Sequence, residues 1–506
     1  MATKISTELL IIILNNFQST QDLYSSMLVN RIWCKVTIPI LWNLPLGQEC
    51  CTDYTKLEKK ALCIRTYISC MDARTRNLLV QNGFDLSSSP PQATFDYPSF
   101  THKFIINNLV YFVSIHSMYS RKIISPHQDD NGSRILFREM CKLIIERCIF
   151  LDSFKMTVII FFSGNFQNYS DLIGSIFKLP SASKVFKKLE NFTSTIGDYK
   201  LIYPFYESLK LICDTILTMD LKLNSYFQVQ LLAKLIRVQK RLENLSIFTN
   251  YSLDCNSLLW AIISQKETLK GLRLYSVNFC QLKRKLSPIG QFISLQELYF
   301  DNCVGLRNSN CLFLASSFTQ LSSFHYFHSR YSNDVHPQEF IIKIFETAGA
   351  NLKNIFLDSH SSHSTIAFDT FSAILNYCTK ITKLTLHNLS SEQVIAIFNN
   401  NFNELRRFSF DCGEKRFDAN ELLYKMGENV PESLESMEIR MNYYNPWIFS
   451  ADYLRKFFEG WCYKGGGVNK LIIIKRTERG QLCGFTLSDE HFKVIEEYGV
   501  QFYIEK

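Results

Sequence analysis

No Cys-x-x-Cys pair occurs anywhere in the 506 residues, although the chain has 16 cysteines and two of them, Cys50 and Cys51, are adjacent. That spacing suits neither a zinc site nor a disulfide framework, and scattered single cysteines without a secretory signal point to a reducing compartment. Long apolar runs are missing as well. The run Leu9 to Leu14 is six residues, bounded by Glu8 and by Asn15 and Asn16, with no small-residue cleavage site after it, so it is neither a signal peptide nor the ~18-residue stretch a membrane span requires. Cytoplasm or nucleus is the expectation, with no membrane partner. Charge of one sign is never concentrated. The formal +8 comes from 55 basic against 47 acidic residues spread over the whole length, which is not the footprint of a nucleic-acid-binding protein.

Catalytic and metal motifs are equally thin. Gly465, Gly466 and Gly467 precede an apolar run without the Lys-Ser/Thr that a phosphate cradle needs, so they read as a turn. His325 with His328, and His360 with His363, form two H-x-x-H pairs on predicted strands or strand ends. A metal site of this kind is better served by histidines on a helix with a carboxylate or cysteine at ligand spacing. No Ser, His and Asp arrangement stands out. The expectation is a protein without catalytic residues, metal or cofactor.

What the sequence has is apolar and periodic. Hydrophobic residues make up 46% and charged ones 20%, with 41 Phe and 24 Tyr, which places the chain among folded proteins with an aromatic-rich interior. Its length exceeds what one compact core organises, so several units or a repeat array are expected. The pattern Leu-x-x-Leu-x-Leu, with other apolars substituting, starts at Leu242, Leu269, Leu295, Leu321, Leu352, Ile381, Leu405 and Leu434, in steps of 27, 26, 26, 31, 29, 24 and 29 residues. Weaker copies start at Leu151 and Leu189, another uses Leu471 and Ile473, and the gap of 53 residues from Leu189 to Leu242 hides one more.

Between the strands the period becomes helical, as in Phe340, Ile341, Ile344 and Phe345, or Phe371, Ile374 and Leu375. Ser390 opens a Ser-x-x-Gln capping box, and Ser488 to Tyr498 with "VQFYI" reads as a closing helix and strand. Only Cys303 stands at the position where an asparagine or cysteine ladder would hydrogen-bond neighbouring loops, which predicts an irregular stack. These repeats are similar to the longer leucine-rich repeats. The fold class is therefore α/β, with a leucine-rich-repeat solenoid, a horseshoe of strand-helix repeats, over residues 141–506 including a C-terminal cap.

The N-terminus differs. Ile5, Leu9, Ile12, Ile13 and Phe17 recur at helical spacing, and Ser19 or Thr20 caps a second helix with Leu23, Met27 and Leu28 expected inward. Val29 and Trp33 continue the step, Pro39 is expected to lie outside any helix, and Ile40, Leu41 and Trp42 follow. The segment "ISTELLIIILNNFQSTQDLYSSMLVNRIWCKVTIPILW" resembles an F-box, and is particularly similar to the large F-box families of mycorrhizal fungi, in which "LLVNRxWCxxxIPILW" recurs. It departs from the family's opening Leu-Pro-x-Glu, reading Ile5, Ser6, Thr7, Glu8.

The resemblance implies a three-helix module over 1–46 that docks on the Skp adaptor of a cullin-RING ubiquitin ligase. Its apolar positions are Ile5, Leu9, Leu10, Leu23, Leu28, Val29, Trp33, Pro39, Leu41 and Trp42. Residues 47–140, with loop-like stretches at 87–100 and 125–133, read as a helical connector. In each repeat strand the residues flanking the inward pair face outward, where a protein target binds. Arg273, Tyr275, Tyr299, His325, Phe327 and Phe356 are the expected centre of that face, since aromatics and arginine dominate recognition surfaces. Two readings follow: a substrate receptor of an SCF-type ligase with an unknown protein target, or a leucine-rich scaffold whose N-terminal module is only a cap.

Overall fold

The computed structural model describes residues 5–17, 19–47, 54–87, 92–121, 131–156, 169–195, 199–250, 253–280, 292–307, 309–328, 336–359, 366–400, 402–412, 418–441, 447–464, 470–476 and 487–505. Cys50, Cys51, His360, His363, Gly465 to Gly467, residues 88–91 of the first predicted loop and 125–130 of the second lie outside them. The chain divides into two compact units, Met1–Leu245 and Ser246–Lys506. Among the described residues no helix is long and apolar enough to cross a membrane.

The first unit opens with helices α1 (Thr7–Asn15), α2 (Thr20–Met27), α3 (Arg31–Leu41), α4 (Tyr54–Ser69) and α5 (Ala73–Gln81). It continues with β1 (Lys103–Ile105), α6 (Ile106–Arg121), α7 (Asn131–Arg147), β2 (Ser153–Met156), α8 (Ser170–Ile176), α9 (Ala182–Phe186), β3 (Asn191–Ser194), α10 (Tyr199–Ile212), β4 (Thr218–Lys222) and α11 (Tyr226–Val238). Strands β1 to β4 lie side by side in chain order and are parallel. The stretch read as a connector thus contains β1 and the helix after it, so strand-helix units begin at Lys103. The repeat hidden in the 53-residue gap is β4, where Met219 and Leu221 take the inward places.

Strand β5 (Asn244–Phe248) spans the boundary between the units. The second unit then runs α12 (Asn256–Ile263), β6 (Gly271–Tyr275), β7 (Glu297–Asp301), α13 (Ser309–Ala315), β8 (Ser323–His328), α14 (Gln338–Ala348), β9 (Asn354–Ser359), α15 (Phe368–Tyr377) and β10 (Lys383–Leu389). It ends with α16 (Ser391–Asn399), β11 (Arg407–Cys412), α17 (Ala419–Glu428), β12 (Ser436–Met441), α18 (Ala451–Lys464), β13 (Leu471–Arg476), α19 (Asp489–Glu497) and β14 (Gln501–Glu505). From β6 onward the strands pair in parallel with their chain neighbours.

The inward pairs stand in register across this unit. Leu272, Leu298, Phe324, Ile355, Leu384 and Phe408 form one buried row, and Leu274, Phe300, Tyr326, Leu357, Leu386 and Phe410 the next. Helices start where local chemistry favours it: Ser225 and Ser390 close capping boxes with Gln228 and Gln393 on α11 and α16, and the Asp418 carboxylate caps α17.

Most of the strands are joined to the preceding repeat in the same way. One backbone carbonyl just before a strand accepts two consecutive N–H groups at the start of the next. In the first unit His102 and Lys103 donate to the Asn43 carbonyl, Asp152 and Ser153 to His102, Glu190 and Asn191 to Asp152, and Leu217 and Thr218 to Glu190. In the second the accepting carbonyls are those of Lys270, Gln296, Ser322, Lys353, Thr382 and Arg406. Side chains add irregular supports. The Cys303 thiol donates to the Leu274 carbonyl at 3.3 Å, as its ladder position predicts, while the Gln239 amide and the Thr249 hydroxyl bond neighbouring repeats elsewhere.

The reading of β13 is corrected. Ile472 and Ile474 are buried, whereas Leu471 and Ile473 are only half-buried. Four consecutive apolar residues offer no alternation from which to choose a face, and a slip of one residue exchanges the two sets. Pairing with Met437 and Ile439 of β12 makes the choice. It also places Lys470 in the interior, its ammonium donating to the Leu434 carbonyl at 2.6 Å and lying 5.5 Å from the Trp461 ring centre.

Helices α17 and α18 approach closely because glycines meet there. A methyl group on Gly460 would come within 1.9 Å of the Gly427 carbonyl oxygen. Two effects of Gly460→Ala therefore oppose each other. Helix propensity favours alanine by about 1 kcal/mol, and overpacking costs about 1–3 kcal/mol. The contact lies on backbone atoms that cannot swing away, so the expected outcome is a lower melting temperature, measured by circular dichroism; a higher one would show that the helices part freely.

Candidate functional surfaces

The three-helix module is capped at each start by the residue just before it. The Ser6 hydroxyl accepts the Leu9 N–H at 3.3 Å, the Ser19 hydroxyl accepts that of Gln21 at 3.1 Å, and the Asn30 side chain accepts those of Ile32 and Trp33 at 2.9 and 3.0 Å. Ser6, the departure from the F-box opening, is thus the N-cap of α1. Backbone and Ser6 hydrogen bonds hold the Glu8 carboxyl below its ordinary range.

Leu10, Leu14 and Leu23 form the module's core, with Trp33, Val36, Ile40 and Leu41 packed on it. This core uses only one side of α1. Ile5, Leu9, Ile11, Ile12 and Ile13 remain exposed, as do Tyr24, Leu28, Val29 and Ile32. Leu28, expected inward, is 85% exposed. It follows the last residue of α2, where the chain turns outward toward α3, and helical periodicity no longer governs its direction.

Pro39 is also corrected: it lies inside α3. It removes the one ladder bond its own N–H would have made, and the helix continues past it, the Trp42 N–H donating to the Ile38 carbonyl at 2.9 Å. Trp42 packs against Tyr97 and Tyr67, with ring centres 4.3 and 5.5 Å away. Of the residues assigned to the adaptor face, Leu10 and Leu23 are therefore core. Trp33, Pro39, Leu41 and Trp42 are half-buried, and Ile5, Leu9, Leu28 and Val29 are exposed. Ile12, Ile13 and Ile32 share that exposure.

The second surface is the sheet face of the second unit that turns away from the buried rows. Its rings stack across adjacent strands. Phe248 and Tyr275 lie parallel at 3.9 Å, Tyr275 and Tyr299 are tilted at 5.1 Å, Tyr299 and His325 tilted at 5.6 Å, His325 and Phe356 stacked at 5.7 Å, and Phe356 and His387 edge to face at 5.8 Å. Four of the six predicted target-binding residues, Tyr275, Tyr299, His325 and Phe356, are members of this ladder; Phe248 and His387 extend it at both ends. Arg273 is exposed and pairs with Glu297 at 3.4 Å. Phe327 lies in register between Asp301 and Asp358.

Stacking makes these outward residues half-buried where isolated strand residues would be open. Burial lowers the His325 imidazole below its ordinary pKa, and its ring nitrogen is 3.0 Å from the Ser323 hydroxyl. Burial, then Asp301 and Tyr275, pushes the Tyr299 phenol up to about 12. His328, the partner of His325 in H-x-x-H, is buried against Tyr326, whose hydroxyl is 3.2 Å from its Nδ1. Among the described residues no three His, Cys, Asp or Glu side chains are arranged to hold a metal ion.

At one end of the ladder the His387 ring sits between two carboxylates, 3.9 Å from Asp358 and 3.5 Å from Asp411, with His387 and Asp358 almost wholly buried. The Asn388 N–H also donates to Asp411. Sequence reading placed His387, Asp358 and Asp411 on the outward positions and missed their meeting, because it depends on the register of the strands and on the direction each side chain takes.

Removing the imidazole would take away the polar ring that lies between Asp358 and Asp411. His387→Ala is expected to destabilise the chain by about 2 kcal/mol, the cost of leaving a buried polar group without its partner, and His387→Phe, which restores the ring volume, by a similar amount. Recovery by phenylalanine in a thermal melt would show that the ring acts by packing alone. Compared with known protein families and with curated proteins, the chain matches none.

Proposed function

We propose that the chain is an interaction subunit: its N-terminal module docks on the Skp adaptor of a cullin-RING ubiquitin ligase, and its repeat strands hold a protein target. One observation supports the first half above all. The module spends Leu10, Leu14 and Leu23 on its own core, yet leaves Ile5, Leu9, Ile12, Ile13, Leu28, Val29 and Ile32 exposed. Large apolar side chains left exposed in this number on so small a module support a protein-binding surface. The F-box-like string of residues 25–42 is what assigns the adaptor as occupant.

The mechanism is positioning without bond chemistry. A target held on the repeat strands experiences a raised effective concentration of the ligase's conjugating enzyme, so its lysines are modified faster. The Asn43 carbonyl, which accepts the His102 and Lys103 N–H groups at 3.2 and 3.0 Å, ties the module to β1. That tie favours a second reading as well, in which the module is the cap of a leucine-rich scaffold and meets no ligase.

The full-length chain carrying Leu28→Asp and Val29→Asp separates the two. Both side chains are exposed, so the melting temperature is expected to stay within about 2 °C of the parent, as for surface changes generally. Capture of purified Skp adaptor is expected to fall at least tenfold. Equal capture by parent and variant overturns the adaptor reading; a large loss of stability with no capture by the parent supports the cap.

A further inference from the structure

Among the described carboxylates on the outward face of the second unit, Asp301 stands apart in having no basic side chain or imidazole within ion-pair distance, whereas Glu297, Asp358, Asp411 and Glu438 each have one. In the register of the sheet its neighbours are Tyr275 on β6 and Phe327 on β8, and the Tyr299 hydroxyl is 3.5 Å from its Oδ2. Its Oδ1 is shielded from solvent and accepts no hydrogen bond among the described residues. The carboxylates farther along, Asp358 and Asp411, share the His387 imidazole between them. Asp301 has no such companion. The basic side chain on the adjacent strand, Arg273, is engaged by Glu297 at 3.4 Å. Burial accordingly raises the Asp301 carboxyl above its ordinary range, opposed only by the Tyr299 hydroxyl.

We propose that Asp301, between Tyr275, Tyr299 and Phe327, receives an arginine or lysine side chain of a partner protein, the rest of that segment lying extended along the aromatic ladder. The inference deepens the reading of this face as the target-binding surface and rests on it. Charge complementarity selects the residue type. A half-buried carboxylate without a basic partner attracts a cation through its charge and offers it charge-assisted hydrogen bonds. Arginine suits the place better than lysine, because its planar, weakly hydrated guanidinium loses less on entering a half-buried aromatic setting and pairs well with a carboxylate.

The length of the ladder selects a protein segment over a free organic cation. From Phe248 to His387 it crosses β5 to β10, which at about 4.8 Å between strands is about 24 Å. A small cation covers one ring or two. An extended peptide of about seven residues covers the whole row.

The test uses the full-length chain and an array of heptapeptides with Arg, Lys, Gln or Glu at the centre and mixed residues around it. Retention is expected to favour Arg, then Lys, at least tenfold over Gln and Glu. Asp301→Asn, close in shape, is expected to abolish that preference, and Tyr275→Leu to weaken it several-fold. A thermal melt of each variant confirms that it is folded, and if Asp301→Asn does not fold, Tyr275→Leu decides.

No preference for a basic centre overturns the proposal, as does a preference that persists in a folded variant. Spermidine is the free-cation control. Displacement of the peptides by equimolar spermidine overturns the choice of a protein partner. Failure of adaptor capture leaves this experiment untouched, and failure of the array with capture intact removes only the present inference.

Discussion

One backbone carbonyl shared by two N–H groups is the constraint on which the rest depends. Parallel strands cannot be joined by tight turns, so each repeat must return through a longer crossover and begin a new strand in register with the last. The carbonyls of Asn43, His102, Asp152 and Glu190 in the first unit, and of Lys270 through Arg406 in the second, set that register before any side chain is placed. An error of one residue would turn every inward leucine outward. The bond is made by the backbone, so repeats of 24 to 31 residues with dissimilar loops can share it.

Once register is set, side chains on the two faces obey different rules. Inward, Leu272, Leu298 and Phe324 are buried by their own neighbours and by the helices, which is what a leucine pattern encodes. Outward, the same spacing brings Tyr299, His325 and Phe356 against each other at 5.6 to 5.7 Å. The outward face is thus partly dry. Glu297 and Glu438 pair there with Arg273 and Arg440, and His387 lies between Asp358 and Asp411, whereas Asp301 has no such partner among the described residues.

Legibility in the sequence followed the strength of the local signal. Leu-x-x-Leu-x-Leu announced its strands because polar residues separate the inward pair from its neighbours. The run Leu471-Ile472-Ile473-Ile474 announced a strand without saying which face was in. Cys303 was readable because a thiol at that place has one evident use, whereas the closeness of Gly427 and Gly460 was not, since neither residue is unusual in its own helix. In the N-terminal module the apolar positions were plain, but the split between core and surface was not: Leu10 and Leu9 are equally apolar, and only the packing of α1 on α3 buries the first and exposes the second.

By itself the sequence determined an α/β chain of strand-helix repeats behind a helical N-terminus, because periodicity and capping are local properties of neighbouring residues. Tertiary structure alone decided the register of the strands and the packing of side chains across them, and with that the aromatic ladder, the imidazole between two carboxylates and the uncompensated Asp301. Those features join residues about 25 positions apart in the chain; the repeat period makes consecutive strands neighbours, but which side chains touch depends on backbone pairing that brings the strands within about 5 Å.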